Sequence, residues 1–253
     1  VRIPFLIAPL ALGLTSVATL GATTAQDATE TYRVVLMRAA PGALLDVIDL
    51  LGERAAVLEA AGEAAPLIMR HSQGDHWDLM LLQPVGTLGS YYSSERVAGR
   101  EAAASVAGLS ATDYERRLRA LLAWREEMFA EGPKREVVAE YDAGTDLYHV
   151  EMFIALPGKY DELVEQRYME NRYYALTERR GNLVFTRVAG AAWDVFTIGF
   201  YRDMAHFAED PPVSEEEAEA AAIEAGFEAR NRIGTYLRTL MGSHNDTLAG
   251  AVR

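Results

Sequence analysis

Gly74-Asp75-His76-Trp77-Asp78 returns as Gly190-Ala191-Ala192-Trp193-Asp194, 116 residues further along the chain. Working outward at that same offset, Tyr32-x-Val34 meets Tyr148-x-Val150 and Pro41-Gly42 meets Pro157-Gly158. Ala39/Ala155 and Leu67/Leu183 bring the identities across residues 32–90 to nine. Rare residues held in one constant register are the signature of an internal repeat, and a repeat fixes architecture before any other pattern does.

Each copy carries the same succession of signals. Tyr32–Arg38 alternates and is rich in Val and Leu, which reads as a strand. Pro41-Gly42 then turns into a helix from about Ala43 to Ala61, with Leu44, Ile48, Leu51, Ala55 and Leu58 at helical spacing. Pro66–His71 and Trp77–Gln83 form two strands about a Gly-containing turn. Ser110-x-x-Asp113 caps a helix expected to run to about Ala130, with Leu118, Leu121, Leu122 and Phe129 inward. In the second copy Leu147–Ala155 is a strand, Lys159–Arg180 a helix, and Leu183–Val188 with Trp193–Tyr201 a hairpin. Ser214-x-x-Glu217 opens a long Ala/Glu-rich helix expected to end near Gly242. The reading is β-α-β-β-α twice, an α+β chain with helices covering one face of antiparallel sheet. The expected organisation is a signal or anchor at 1–25, a linker at 26–31, a first repeat at 32–131, a linker at 132–146, a second repeat at 147–242 and a tail at 243–253.

A β-α-β-β-α unit of this size in tandem, with its Pro-Gly before the helix and its repeated G-x-x-W-D hairpin, resembles the dimeric α/β-barrel superfamily of ferredoxin-like domains. The resemblance covers about residues 32–242. It implies two ferredoxin-like repeats packed as an intrachain α/β barrel. That superfamily holds small monooxygenases, isomerases, haem enzymes and members without known activity, so the fold does not choose a function.

Composition narrows the function. The formal charge is −13 and no Lys/Arg run is present, which argues against nucleic acid and anionic membrane surfaces as partners. There is no cysteine, so disulfides, thiolate metal sites and Cys nucleophiles are excluded. Arg2 precedes an uncharged stretch from Ile3 to Ala22, followed by small residues suited to cleavage after Ala25. This reads as a secretory signal, with a retained anchor as the rival, and both place the folded part outside the cytoplasm, in the periplasm or secreted. No phosphate loop, dinucleotide fingerprint, zinc-protease motif or G-x-S-x-G elbow occurs.

The chemistry-bearing candidates are few. On the strand Tyr148–Phe153, alternation separates Tyr148, Val150, Met152 and Ile154, expected beneath the helices, from His149, Glu151 and Phe153, expected to face the barrel interior. His149 and Glu151 could pair there, tuning the imidazole as a base, with Arg33 at the position equivalent to His149. A satisfied polar pair at a strand end is the structural alternative. His71 and Arg187 are equivalents at hairpin ends and could meet an anion. Asp78 and Asp194, retained after a Trp in both copies, read as structural. His244 and Asp246 have the spacing of metal ligands, but one His in an expected tail does not make a site, so no metal is assigned. Haem is open only through His149 as a lone axial ligand, and no cofactor is assigned.

The helix Lys159–Arg180 departs from its twin. Arg167 replaces Leu51, Asn171 replaces Ala55, and Tyr160, Tyr168, Tyr173 and Tyr174 lie around them. Either the second half has a polar pocket under this helix, or the helix covers less core and meets a partner. Tyr and Arg are enriched at interfaces, so the partner reading is favoured, and Arg167, Tyr168, Asn171, Arg172 and Tyr173 are the expected binding surface for a protein partner. The favoured expectation is therefore a non-catalytic, exported accessory protein, an extrinsic subunit on a membrane complex. The alternative is a small-molecule enzyme, monooxygenase- or isomerase-like, or a haem-binding protein, using the barrel interior through His149, Glu151 and Arg33.

Overall fold

The computed structural model describes residues 29–253. The proposed signal or anchor at residues 3–22 lies outside them. Among the described residues no helix is long and apolar enough to cross a membrane.

The chain begins with β1 (Thr29–Ala39), α1 (Leu44–Ala60), β2 (Leu67–Gln73) and β3 (Leu79–Gly86). Three helices follow, α2 (Leu88–Tyr91), α3 (Ser94–Ala107) and α4 (Ala111–Leu121), then β4 (Leu122–Pro133) and α5 (Arg135–Asp142). The second half holds β5 (Leu147–Ala155), α6 (Tyr160–Leu176), β6 (Leu183–Gly190) and β7 (Val195–Tyr201). It ends with α7 (Met204–Phe207), α8 (Glu215–Glu224), α9 (Ile233–Arg238) and β8 (Met241–Ala251). All strand pairs are antiparallel, and the order β1-β3-β2-β8-β5-β7-β6-β4 closes on itself.

Pairing registers repeat at the offset of 116. Tyr32 faces Pro84 and Met37 faces Leu79, as Tyr148 faces Phe200 and Phe153 faces Val195. Leu67 faces Leu82 as Leu183 faces Ile198. The G-x-x-W-D motif explains its own persistence. Asp78 accepts from the Ala39 amide at 2.8 Å, and Asp194 from the Ala155 amide at 2.9 Å. Gly74 and Gly190 have φ of +121° and +103°. A Cβ there would lie 2.0 Å from the Asp246 carbonyl oxygen and 2.5 Å from that of Glu127, so only glycine lets the hairpin close against the neighbouring strand. Trp77 and Trp193 are both buried in the interior cluster, on matching turns of the two halves.

The interior is lined by apolar side chains. Tyr32, Val34, Leu36, Met80, Met128, Tyr148, Val150, Met152, Phe185 and Phe196 form one cluster. Val35, Met37 and Leu81 face outward instead, beneath α1, α3 and α4. Phe153, Val184 and Val195 lie beneath α6 and α9.

Two elements differ from the sequence reading. The helix expected to reach Ala130 stops at Leu121 and becomes β4, because pairing with β1 from Thr29 to Ala39 satisfies its backbone. Met128 and Ala130 then alternate inward against Arg125, Glu127 and Phe129. The segment 243–253 is not a free tail but most of β8, paired on both sides by β5 and β2. The long helix expected up to Gly242 breaks after Glu224, where Gly226 takes φ +105°. Each half therefore ends in a fourth strand, which the β-α-β-β-α reading lacked. The segment 132–146, expected as a linker, contains α5.

Candidate functional site

Two polar sites occupy the same place in the two halves, between the outer face of the sheet and its covering helices. Both lie outside the barrel interior, contrary to the expected orientation of β5. Tyr148, Val150 and Met152 point inward and His149, Glu151 and Phe153 point toward α6. The reason is steric and polar at once: the closed interior takes the larger apolar set, and the polar set finds its partners on the helix.

In the first half, Arg33 on β1 donates to Glu127 of β4 through Nε at 2.6 Å and Nη2 at 2.9 Å. Burial works against the Arg33 cation, and Glu127 more than offsets it, so the guanidinium stays charged. Arg125 braces Glu127 from the other side at 2.7 Å and reaches Glu115 at 2.9 Å. These residues border a cleft of about 320 Å³ roofed by α1, α3 and α4. Four arginines, Arg33, Arg54, Arg100 and Arg125, line it against Glu115 and Glu127, with Tyr91, Tyr92 and Tyr114 as aromatic walls. Arg54 lies over the Tyr114 ring at 5.3 Å and Arg100 over Tyr91 at 4.5 Å. Burial pushes the Tyr114 hydroxyl up, so it remains a neutral donor. Two buried donors at this cleft have no hydrogen-bond partner, Arg54 Nη1 and Gln83 Nε2.

The second half has a denser arrangement. Glu151 is buried, and its Oε2 accepts from Thr197 Oγ1 at 2.9 Å, with Arg167 Nη1 at 3.3 Å and Asn182 Nδ2 at 3.5 Å. Burial would raise its pKa, but His244, Arg167, His149 and Thr197 together hold it below the usual carboxylate range. His149 Nε2 meets Asp246 Oδ1 at 2.5 Å. Burial disfavours its cation, and Asp246 with Glu151 outweighs that, raising the imidazole above its ordinary value. His244 stacks on Phe153 with centroids 4.7 Å apart.

The other expected binding residues do not form a free surface. Arg167 is 3 % exposed and Tyr173 is 5 % exposed. Arg167 also pairs with Glu170, and Tyr173 packs in a cluster with α8. Tyr168 packs against the cluster beneath α6 and α9. Asn171 clamps the backbone of Asn182, donating to its carbonyl at 2.7 Å and accepting from its amide at 2.8 Å. Arg172 alone is well exposed, beside Glu165 at 2.8 Å. Arg187 is held by Asp194 at 2.6 Å, and His71 lies edge-on to Trp77 at 5.8 Å. Sequence reading passed over Gln83, Arg54 and Thr197, and set His244 and Asp246 aside. The available signal was a coupled exchange: at the repeat offset Val35 becomes Glu151 while Leu51 becomes Arg167.

No protein-family model matches the chain, and the search of characterised proteins gives no match. Among solved structures it is similar to an anthrone oxidase-like protein, with a TM-score of 0.53 and 14 % identity over 90 % of this chain and 93 % of that one. A protein from Lactobacillus acidophilus described as a monooxygenase gives a TM-score of 0.48 and 9 % identity, covering 89 % of this chain and 99 % of that one. A haem-binding protein from Thermus thermophilus gives 0.43 and 14 %, covering 89 % and 92 %. The shared fold is α+β and ferredoxin-like. The expectation of a non-catalytic accessory subunit is corrected: the structure matched at a TM-score of 0.53 is described as anthrone oxidase-like, and Arg167 and Tyr173, expected at the partner surface, are buried. Haem, although bound by one protein of this fold, does not fit at His149. Glu151, His244 and Asp246 crowd the Nε2 side of the ring and Phe207 lies edge-on to it at 5.3 Å, which leaves room for a small ion but not for a macrocycle.

Proposed function

We propose that the chain is a small-molecule enzyme, of oxidase or isomerase type, working in the first-half cleft on a planar acidic substrate such as a phenol or an aromatic acid. One observation carries this reading. Arg54 Nη1 and Gln83 Nε2 are buried donors without partners at a cavity of about 320 Å³. Each such donor costs about 1–3 kcal/mol, and a ligand oxygen would relieve it. Arg33, Arg125 and Arg100 are paired with Glu127, Glu115 and Glu63, so it is Arg54 that favours an anion, and the tyrosines favour an aromatic ring. An anion held this way is stabilised as it forms, so the cleft suits transfer of a proton from an activated C–H to the lining carboxylate of Glu115, a step common to isomerases and oxidases. The anthrone oxidase-like protein of the same fold supports the oxidase branch. The common register at 116 residues supports reading the two halves as fused ferredoxin-like repeats closed into one barrel. The uncharged segment 3–22 supports an exported enzyme.

Calorimetric titration with a panel of phenolic and carboxylic aromatics tests the reading, together with oxygen uptake and solvent-hydrogen exchange on the ligands that bind. Arg54→Ala and Gln83→Leu should each weaken binding by about tenfold or more, since one charge-assisted or neutral bond is lost. Ligands that bind both variants as tightly as the parent would place binding elsewhere. Ligands that bind but show neither uptake nor exchange would reduce the cleft to a receptor.

A further inference from the structure

The second-half cluster contains imidazoles, which the first-half cleft lacks. We infer that His149, Glu151, His244 and Asp246 form a site for one divalent first-row transition-metal ion, of the kind that takes imidazole and carboxylate together, such as Zn²⁺ or Mn²⁺.

The argument starts from strand register. On the paired outer faces of β5 and β8, Glu151 stands directly opposite Asp246, and Phe153 opposite His244. Two carboxylates in a direct cross-strand pair repel, and sheets avoid that arrangement unless a cation lies between them. The first half shows the ordinary solution. There Val35, not a second acid, stands opposite Glu127, and two arginines cover that single carboxylate. In the second half histidines hold the corresponding places: His149 is the counterpart of Arg33, and His244, opposite Phe153, that of Arg125, opposite Met37. Arginine has no lone pair to offer a metal, whereas imidazole does. The exchange therefore replaces fixed cations with two ligating nitrogens and adds a second carboxylate.

His149 Nε2 and Asp246 Oδ1, hydrogen-bonded at 2.5 Å, must part by about 1 Å to share an ion, and the remaining distances already suit one. His149, Glu151 and Asp246 offer ligand atoms that all lie within 4.8 Å of one another. His244 Nε2 is 3.5 Å from Glu151 Oε1 and 3.6 Å from Asp246 Oδ2. Tetrahedral bonds of roughly 2.1 Å put neighbouring ligand atoms about 3.4 Å apart. His244 Nε2 is buried and has no hydrogen-bond partner, which is a second sign that something belongs between these groups. The supporting residues are also in place. Thr197 and Arg167 hold Glu151 by Oε2 and leave Oε1 toward His244. Phe153 fixes the His244 ring, and Phe207 packs against His149. Arg167 is shared between Glu170 and Glu151 Oε2, so it offsets only part of the charge that the two carboxylates present to the ion.

The test uses the full chain, stripped with a chelator and titrated calorimetrically with Zn²⁺ alone and with Mn²⁺ alone. One ion per chain is expected. Asp246→Ala and His244→Ala should weaken binding by at least about 100-fold, and Thr197→Val, which acts through Glu151, by about 10-fold. Asp246 is more than half exposed, so its variant should stay folded, which circular dichroism checks. His76→Ala, at the β2–β3 turn, should bind as the parent does. Failure of the parent to bind either ion would overturn the inference. So would binding that survives both Asp246→Ala and His244→Ala in folded protein. Neither result bears on ligands of the first-half cleft.

Discussion

The two halves share a backbone and disagree about what lies between sheet and helix. In the first, Val35 and Leu51 meet in an apolar layer, and the polar groups retreat to the rim of an open cleft. In the second, the equivalent positions are Glu151 and Arg167, joined to each other inside the layer, with no comparable opening needed to satisfy them. At matching positions of the two halves the side chains differ in complementary pairs. A buried charge on one element is tolerable only when the facing element changes with it. That coupling separates a cleft suited to an organic molecule from a cluster suited to an ion.

The comparison breaks most visibly if one member of the pair is reverted alone. Arg167→Leu restores the first-half residue but leaves Glu151 buried without its cation. It should cost about 3–5 kcal/mol in urea unfolding. The double change Arg167→Leu with Glu151→Val transplants the first-half pair, and it should recover most of that loss. A double variant as unstable as the single one would show that the surrounding Thr197 and Asn182, rather than the ion pair, set the layer. The hairpin glycines come next. Gly74→Ala and Gly190→Ala each force a Cβ onto a neighbouring strand at positive φ, and each should cost about 2 kcal/mol. Similar losses from the two would confirm that the motif does one structural job twice, while a loss confined to one half would break the parallel.

A smaller effect concerns Glu127, the first-half counterpart of Asp246. Burial pushes its carboxyl up, but Arg33 and Arg125 outweigh that and lower its pKa in the folded state. A carboxylate with a depressed folded value contributes stability that is full above its unfolded range, near pH 4.3, and is lost as the pH falls through the folded value. The groups facing it are Arg33 and Arg125, the latter shared with Glu115. Glu127→Gln should therefore cost about 1 kcal/mol at neutral pH, where the partly exposed pair is screened. The difference from the parent should vanish in acid. Parallel stability curves down to pH 3 would mean that this pair contributes nothing through its charge.

The two hairpins and the first helix of each half were legible because they depend on local signals: Pro-Gly, G-x-x-W-D and strict alternation. The fourth strands were not. Leu122–Pro133 carries Arg125, Glu126, Glu127 and Glu131, and Met241–Ala251 carries Gly242, Asn245 and Asp246. Nothing local makes these segments extended; long pairings with β1 and β5 do. Missing β8 also hid half of the second-half cluster, since His244 and Asp246 reach His149 and Glu151 only across that pairing. The inside–outside assignment of β5 failed for a related reason. Alternation separates two faces but does not say which one the barrel encloses.

Arg172 supplies the mildest test and bears on the discarded partner surface. Its guanidinium sits 2.8 Å from Glu165 on the same helix, and the two side chains are 45 % and 59 % exposed. An exposed pair of this kind contributes less than about 1 kcal/mol, often nothing measurable. Arg172→Ala should shift the unfolding midpoint by less than about 0.5 kcal/mol. It should leave aromatic-ligand and metal titrations unchanged, because the side chain reaches neither site. Tyr173, the adjacent residue, is different in kind: it is 5 % exposed and packs with Met169, Ala222 and Phe227. Tyr173→Ala should cost about 3 kcal/mol, as truncation of a buried aromatic does. The two neighbours should thus separate into an exposed side chain, held only by Glu165 and the Ala225 carbonyl, and a core one. Equal, small effects from both would return α6 to the surface and undo the inward reading of the second half.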